Sequence, residues 1–152
     1  MSVPLQVLFL CTGNAARSQL AEALVRQLSH DRIQAFSAGS APQETLHPVA
    51  ESTLREKYGI DTSELFPKPI SRFAGQRFDY IITVCDRSAE TCPAFPGDPE
   101  RIHWSFEDPA AIVGAEEQRR AFEQVASGLS TRIRLWMALP GVRSRMDAVR
   151  AG

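Results

Sequence analysis

The chain alternates short apolar runs with stretches of helical period. Leu5 to Leu10 is mostly apolar and has the length of a buried parallel strand, within a first strand predicted over Val3–Leu10. Leu20, Leu24 and Leu28 then recur on one helical face, which predicts a helix over Ser18–Ser29. Arg32–Ser37, with Ile33, Ala35 and Phe36, reads as a short strand stopped by Ala38-Gly39. Pro48–Tyr58 reads as a helix, with proline at its start and Gly59 just past its end. Pro67–Arg72 suggests a short helical turn, and Asp79–Val84 is the strongest strand signal in the chain. Ile102–Trp104 is a last short strand. Phe122, Val125, Leu129, Ile133 and Trp136 mark a long helix over Gly114–Leu139. Beyond Pro140 the segment Arg143–Gly152 is polar and expected to fray, which divides the chain into a folded domain over residues 1–140 and a tail over 141–152.

Strands alternating with helices predict an α/β fold: a single doubly wound domain with a four-stranded parallel sheet flanked by helices. Ligands in such sheets bind at the carboxyl ends of the strands. In this chain that end collects Cys11, Cys85 and Asp108, each at or shortly after a predicted strand.

Composition narrows the function classes. With 152 residues, 43% hydrophobic and 23% charged, the chain has enough material for one ordinary core. A net charge of −1 gives no general footprint for nucleic acid, and no apolar run is long enough to span a bilayer. The absence of a signal-peptide layout makes the cytoplasm, where thiols stay reduced, the expected compartment. No self-association motif stands out, so a monomer is expected. Three cysteines in that setting point to thiol chemistry more than to a disulfide framework.

The first of them opens the run Cys11-Thr12-Gly13-Asn14-Ala15-Ala16-Arg17-Ser18, between the first strand and the first helix. Fifteen of the 17 basic residues are arginine, so Cys-x5-Arg spacing alone is a cheap coincidence; the strand–loop–helix context makes it informative. Backbone N–H groups, a helix N-terminus and a guanidinium all favour negative charge there. Such a loop holds a tetrahedral oxyanion and favours the thiolate, so Cys11 reads as a nucleophile that attacks a bound oxyanion. Gly13 lets the backbone close around the ligand, and Ser18 either caps the helix or hydrogen-bonds the sulfur.

Cys85 and Cys92 bracket a polar segment whose length allows the roughly 5.5–6 Å Cα separation of a disulfide. They read as a thiol relay in which one cysteine attacks and the other resolves. A zinc site with His103 fits less well, because the spacing is wider than usual zinc pairs and no second pair follows. Asp108, before Pro109, is placed to protonate a departing oxygen as general acid. His30, His47 and His103 lack a partner pattern and read as surface or helix-end residues.

The Cys11–Ser18 run, together with Ser37-Ala38-Gly39 and Asp108-Pro109, resembles the low-molecular-weight protein tyrosine phosphatase family from about Val7 to beyond Asp108. Thr83-Val84-Cys85, Cys92-Pro93 and His103-Trp104 are similar to one branch, the thioredoxin-coupled arsenate reductases. The resemblance implies arsenate held by Thr12, Gly13, Asn14, Ala15, Ala16, Arg17 and Ser18, with phosphate and sulfate as competing oxyanions. It implies attack by Cys11, a Cys11–Cys85 disulfide, and its transfer to Cys85–Cys92 for an external reductant: thioredoxin, or glutathione with glutaredoxin. No bound cofactor is implied. The alternatives are a phosphatase acting on phosphate monoesters and an oxyanion- or metal-binding redox sensor.

Three departures from the family pattern matter. Ala110 stands where tyrosine phosphatases of this fold usually carry an aromatic residue, which argues for a small inorganic anion. Ala15 and Ala16 keep their N–H donors but lack a hydroxyl or thiol. Some of these reductases bind potassium beside the loop; Asn14, Glu22 and Ser37 match part of that site, and Lys68 is expected to replace the cation.

Overall fold

A computed structural model describes residues 3–84 and 95–149. The strands are β1 (Leu5–Cys11), β2 (Ile33–Gly39), β3 (Tyr80–Thr83) and β4 (Glu100–His103). The α-helices are α1 (Arg17–Leu28), α2 (Pro48–Tyr58), α3 (Ala115–Met137) and α4 (Pro140–Asp147), with 3-10 turns at Ile70–Phe73 and Pro109–Ala111. The sheet is four-stranded and wholly parallel, in the order β2-β1-β3-β4.

β1 is central, which is why its sequence is apolar almost throughout: both faces are covered. Val7 and Phe9 face a core shared with Leu20 and Leu24 of α1, Leu54 of α2, Phe122 and Leu129 of α3 and Met146 of α4. Leu8 and Leu10 face the other side with Ile81, where Phe36, Phe73, Phe78 and Phe95 pack mostly edge-on at 5.6–6.0 Å between centroids. The register sets Cys11 beside Gly39 and Thr83 beside His103, so the active loop leaves the sheet between β2 and β3.

The terminal segment departs from the sequence expectation. Pro140 starts a helix instead of a frayed tail, because proline suits the first turn. Val142 and Met146, four residues apart, are buried, and Arg145 pairs with Asp79 at 3.1 Å. β4 also begins two residues before Ile102: it is an edge strand held by its backbone ladder to β3, with little apolar signal of its own. No described helix is long and apolar enough to cross a membrane.

Candidate active site

The loop after β1 is shaped from outside. Cys11 O accepts from Ser40 N at 3.3 Å, and Thr12 O, Gly13 O and Ala15 O accept from Ala41, Gln43 and His47 N at 2.9 Å each. Asn14 O accepts from Gln19 Nε2 at 3.0 Å, and Ala16 O from Leu20 N at 2.9 Å. Six consecutive carbonyls, Cys11 to Ala16, are thus engaged by donors from α1 and the 40–47 segment. Asn14 N–H reaches Cys11 Sγ at 3.3 Å. No side chain caps α1 at Ala16, so the positive end of that helix opens on the same space.

Gly39 makes this packing possible. A Cβ there would lie 2.4 Å from Thr12 O and 3.0 Å from Asn14 Cβ, so a larger residue at the end of β2 would have to displace the loop.

Asn14 is fully buried and adopts φ 50°, a left-handed conformation that asparagine tolerates. Its Oδ1 accepts from Lys68 N at 2.8 Å and Gln19 Nε2 at 3.3 Å, which fixes the amide orientation. Nδ2 therefore donates to Ser18 Oγ at 2.7 Å, and the Ser18 hydroxyl is left to donate to Cys11 Sγ at 2.9 Å. Of the two roles the sequence allowed Ser18, the structure selects the bond to sulfur.

Behind the loop, the buried Glu22 carboxylate accepts from Ser37 Oγ at 2.8 Å and lies 3.2 Å from Arg26 and 3.8 Å from Lys68 Nζ. Lys68 Nζ donates to Phe66 O at 2.7 Å. Burial pushes the Lys68 ammonium below its ordinary value, while Glu22 pulls the other way. These residues do not fit a bound potassium ion: Asn14 Oδ1 already accepts from two N–H groups, and the Lys68 ammonium stands against Glu22. Among the described residues, no group of three or more His, Cys, Asp or Glu side chains is arranged to hold a metal.

Arg17 and Asp108 close the opposite wall. Arg17 NH1 donates to Phe106 O at 2.7 Å, and its NH2 lies 4.0 Å from Asp108 Oδ2. Asp108 caps the turn Pro109–Ala111 by accepting from Ala110 N at 3.0 Å, and its side chain is half exposed. The cavity between these walls has a volume of about 490 Å³. Cys11 through Arg17, Asp108 and Ala110 line it, as do Ala41, Gln43, Thr45, His47 and Pro48.

Cys11, Arg17, Asp108 and the loop residues thus converge. Cys85 and Cys92 lie outside the described residues, as does the relay assigned to them. Sequence reasoning missed the 41–48 segment, although it follows a strand at its carboxyl end and that rule was the available signal. His47 is a helix-end residue as expected, since Nδ1 caps α2 by accepting from Val49 N at 3.1 Å. It is also a wall of the site. Its ring packs 4.8 Å from Phe122, and burial lowers its pKa against the opposing pull of Asp108.

A Cys-x5-Arg loop of this build, on a parallel β2-β1-β3-β4 sheet, matches a known family. The low molecular weight phosphotyrosine protein phosphatase family matches residues 6–146, and the chain belongs to it. Within that family its relatives include an arsenate reductase of Halalkalibacterium halodurans, 37% identical over 129 residues, which are 84% of this chain and 91% of that protein. An arsenate reductase of Bacillus subtilis is 38% identical over 118 residues, 78% of this chain and 84% of that one. Among solved structures, a thioredoxin-dependent arsenate reductase of Corynebacterium glutamicum superposes with a TM-score of 0.67 at 29% identity, covering 97% of this chain and 64% of that chain. An arsenate reductase in its oxidized state gives 0.73 at 26% identity, covering 88% and 96%.

Proposed function

We propose that this protein reduces arsenate to arsenite with electrons drawn from its own thiols and restored by thioredoxin. Arsenate sits in the Cys11–Arg17 loop, held by backbone N–H groups and the Arg17 fork. The Cys11 sulfur, oriented by Ser18 and Asn14, attacks arsenic while Asp108 delivers a proton to the departing hydroxyl, which leaves as water. Cys85 then attacks the Cys11 sulfur. The S–As electron pair stays on arsenic, arsenite departs, and a Cys11–Cys85 disulfide remains. Cys92 attacks Cys85, freeing Cys11 as thiolate and leaving a Cys85–Cys92 disulfide for the external reductant. The chemistry suits a reducing cytoplasm, and phosphate and sulfate compete as isosteric oxyanions.

One observation carries the choice of a small inorganic substrate: none of the described residues lining the cavity is Phe, Tyr or Trp. An aryl phosphate would find no Phe, Tyr or Trp ring among them to lie against, and Ala110 is part of the lining. The named relatives and the two further cysteines support the same reading. The test is NADPH consumption by thioredoxin reductase and thioredoxin, started by adding arsenate to the reduced protein. Many turnovers per protein are expected. Sustained release of phosphate from an aryl phosphate, with no arsenate-dependent NADPH consumption under either thioredoxin or glutaredoxin, would instead make the protein a phosphatase.

A further inference from the structure

We infer that Phe106 is a positioning residue for oxyanion binding, seated on Gly128 of α3 and acting through its backbone carbonyl on Arg17. The inference rests on the Cys11–Arg17 loop binding a tetrahedral anion, but not on the arsenate chemistry. Gly128 lies near the middle of the 23-residue helix α3, where glycine weakens the helix relative to alanine. It does not have a positive φ, so its backbone conformation does not call for glycine. Space does. A Cβ on Gly128 would stand 3.0 Å from Phe106 Cε1 and 3.9 Å from Cδ1 and Cζ, so the ring edge rests on bare helix backbone.

The ring is partly buried against the main core, which fixes the main chain that carries it. That main chain supplies the carbonyl that takes Arg17 NH1 at 2.7 Å, and two residues on it supplies Asp108, 4.0 Å from Arg17 NH2. A guanidinium is a rigid planar fork, so a carbonyl bound at NH1 sets the direction of its remaining N–H groups. One ring seat therefore fixes both the orientation of the anion-binding arginine and the start of the segment that carries the carboxylate. The contact links α3 to the site without any α3 side chain entering the cavity lining.

Gly128→Ala separates this role from a merely structural one, because alanine strengthens the helix while pushing on the ring. The probe is inorganic phosphate, read by its protection of Cys11 from iodoacetamide, with mass spectrometry of the Cys11 peptide in the full chain. Phosphate should bind Gly128→Ala about five- to tenfold more weakly, with an equal or higher melting temperature. Phe106→Leu, which keeps the carbonyl but loses the ring seat, should weaken phosphate in the same direction. In an Arg17→Lys background, Gly128→Ala should change phosphate affinity by less than about twofold, since the effect passes through the arginine. Unchanged affinity in Gly128→Ala, or an equal loss in both backgrounds, would overturn the inference. Neither result depends on whether arsenate turns over.

Discussion

The Asn14 side-chain amide, donating to Ser18 Oγ at 2.7 Å, decides where the Ser18 proton goes. Because Lys68 N–H and Gln19 hold the amide oxygen, the serine hydroxyl must point its hydrogen at the Cys11 sulfur 2.9 Å away. Ser18→Ala should remove a charge-assisted bond worth about 1.5–3 kcal/mol and slow Cys11 alkylation at pH 7 by roughly 10- to 100-fold. Asn14→Ala keeps that hydroxyl and removes only what orients it, so alkylation should slow by less than in Ser18→Ala. Equal alkylation rates in wild type and Ser18→Ala would refute the assignment.

Gly39→Ala tests the floor beneath the loop. Its Cβ would meet Thr12 O at 2.4 Å, and backbone cannot swing aside as a side chain can. Overpacking of this kind costs about 1–3 kcal/mol. Thermal unfolding should show that loss, and phosphate protection of Cys11 should weaken with it. A variant that melts and binds like wild type would mean the loop has slack that the geometry does not show.

Lys68→Met removes one counter-charge from the buried Glu22 carboxylate, which keeps Arg26 and the Ser37 hydroxyl. Breaking a buried pair costs about 3–5 kcal/mol; with two partners left, a loss of about 2–3 kcal/mol is expected. For a chain of this size that is a fall of roughly 5–10 °C in melting temperature. The wild-type protein should melt at the same temperature in potassium and sodium chloride. A marked potassium effect on wild type would contradict the role given to the ammonium group.

His47 predicts an acid-side loss of stability. Burial holds its folded pKa below the ordinary value of 6.5. A depressed pKa contributes stability that is fully present above the unfolded value and is lost as pH falls through the folded one. Protonation would also compete for Nδ1, which now accepts the Val49 N–H. Between pH 7 and pH 5 the wild-type melting temperature should therefore fall further than that of His47→Asn, whose amide oxygen caps without charging. Parallel curves for the two proteins would remove His47 from the account.

What was legible in the sequence was whatever depends on local pattern. The limits of α2 follow from Pro48 and Gly59, because one proline and one left-handed glycine punctuate it. β1 and the loop after it follow from an apolar run meeting Cys-x5-Arg. α4 was not legible because only Val142 and Met146 face the core, and Pro140 reads as a stop when it is a start. The 41–48 wall is polar and irregular in sequence, and its order comes from backbone bonds to carbonyls about 30 residues earlier. The Phe106–Gly128 and Phe106–Arg17 contacts are invisible for the same reason: each joins residues distant in the chain through a ring edge or a carbonyl.

The central claim is that Cys11 reduces arsenate and that Cys85 takes the resulting disulfide before Cys92 does. The most direct measurement uses Cys92→Ser, reduced, mixed with excess arsenate without any external reductant, then acid-quenched and peptide-mapped. The account predicts one arsenite released per protein and a Cys11–Cys85 disulfide in matching yield. Arsenite absent, or released while Cys11 stays a free thiol, would contradict it.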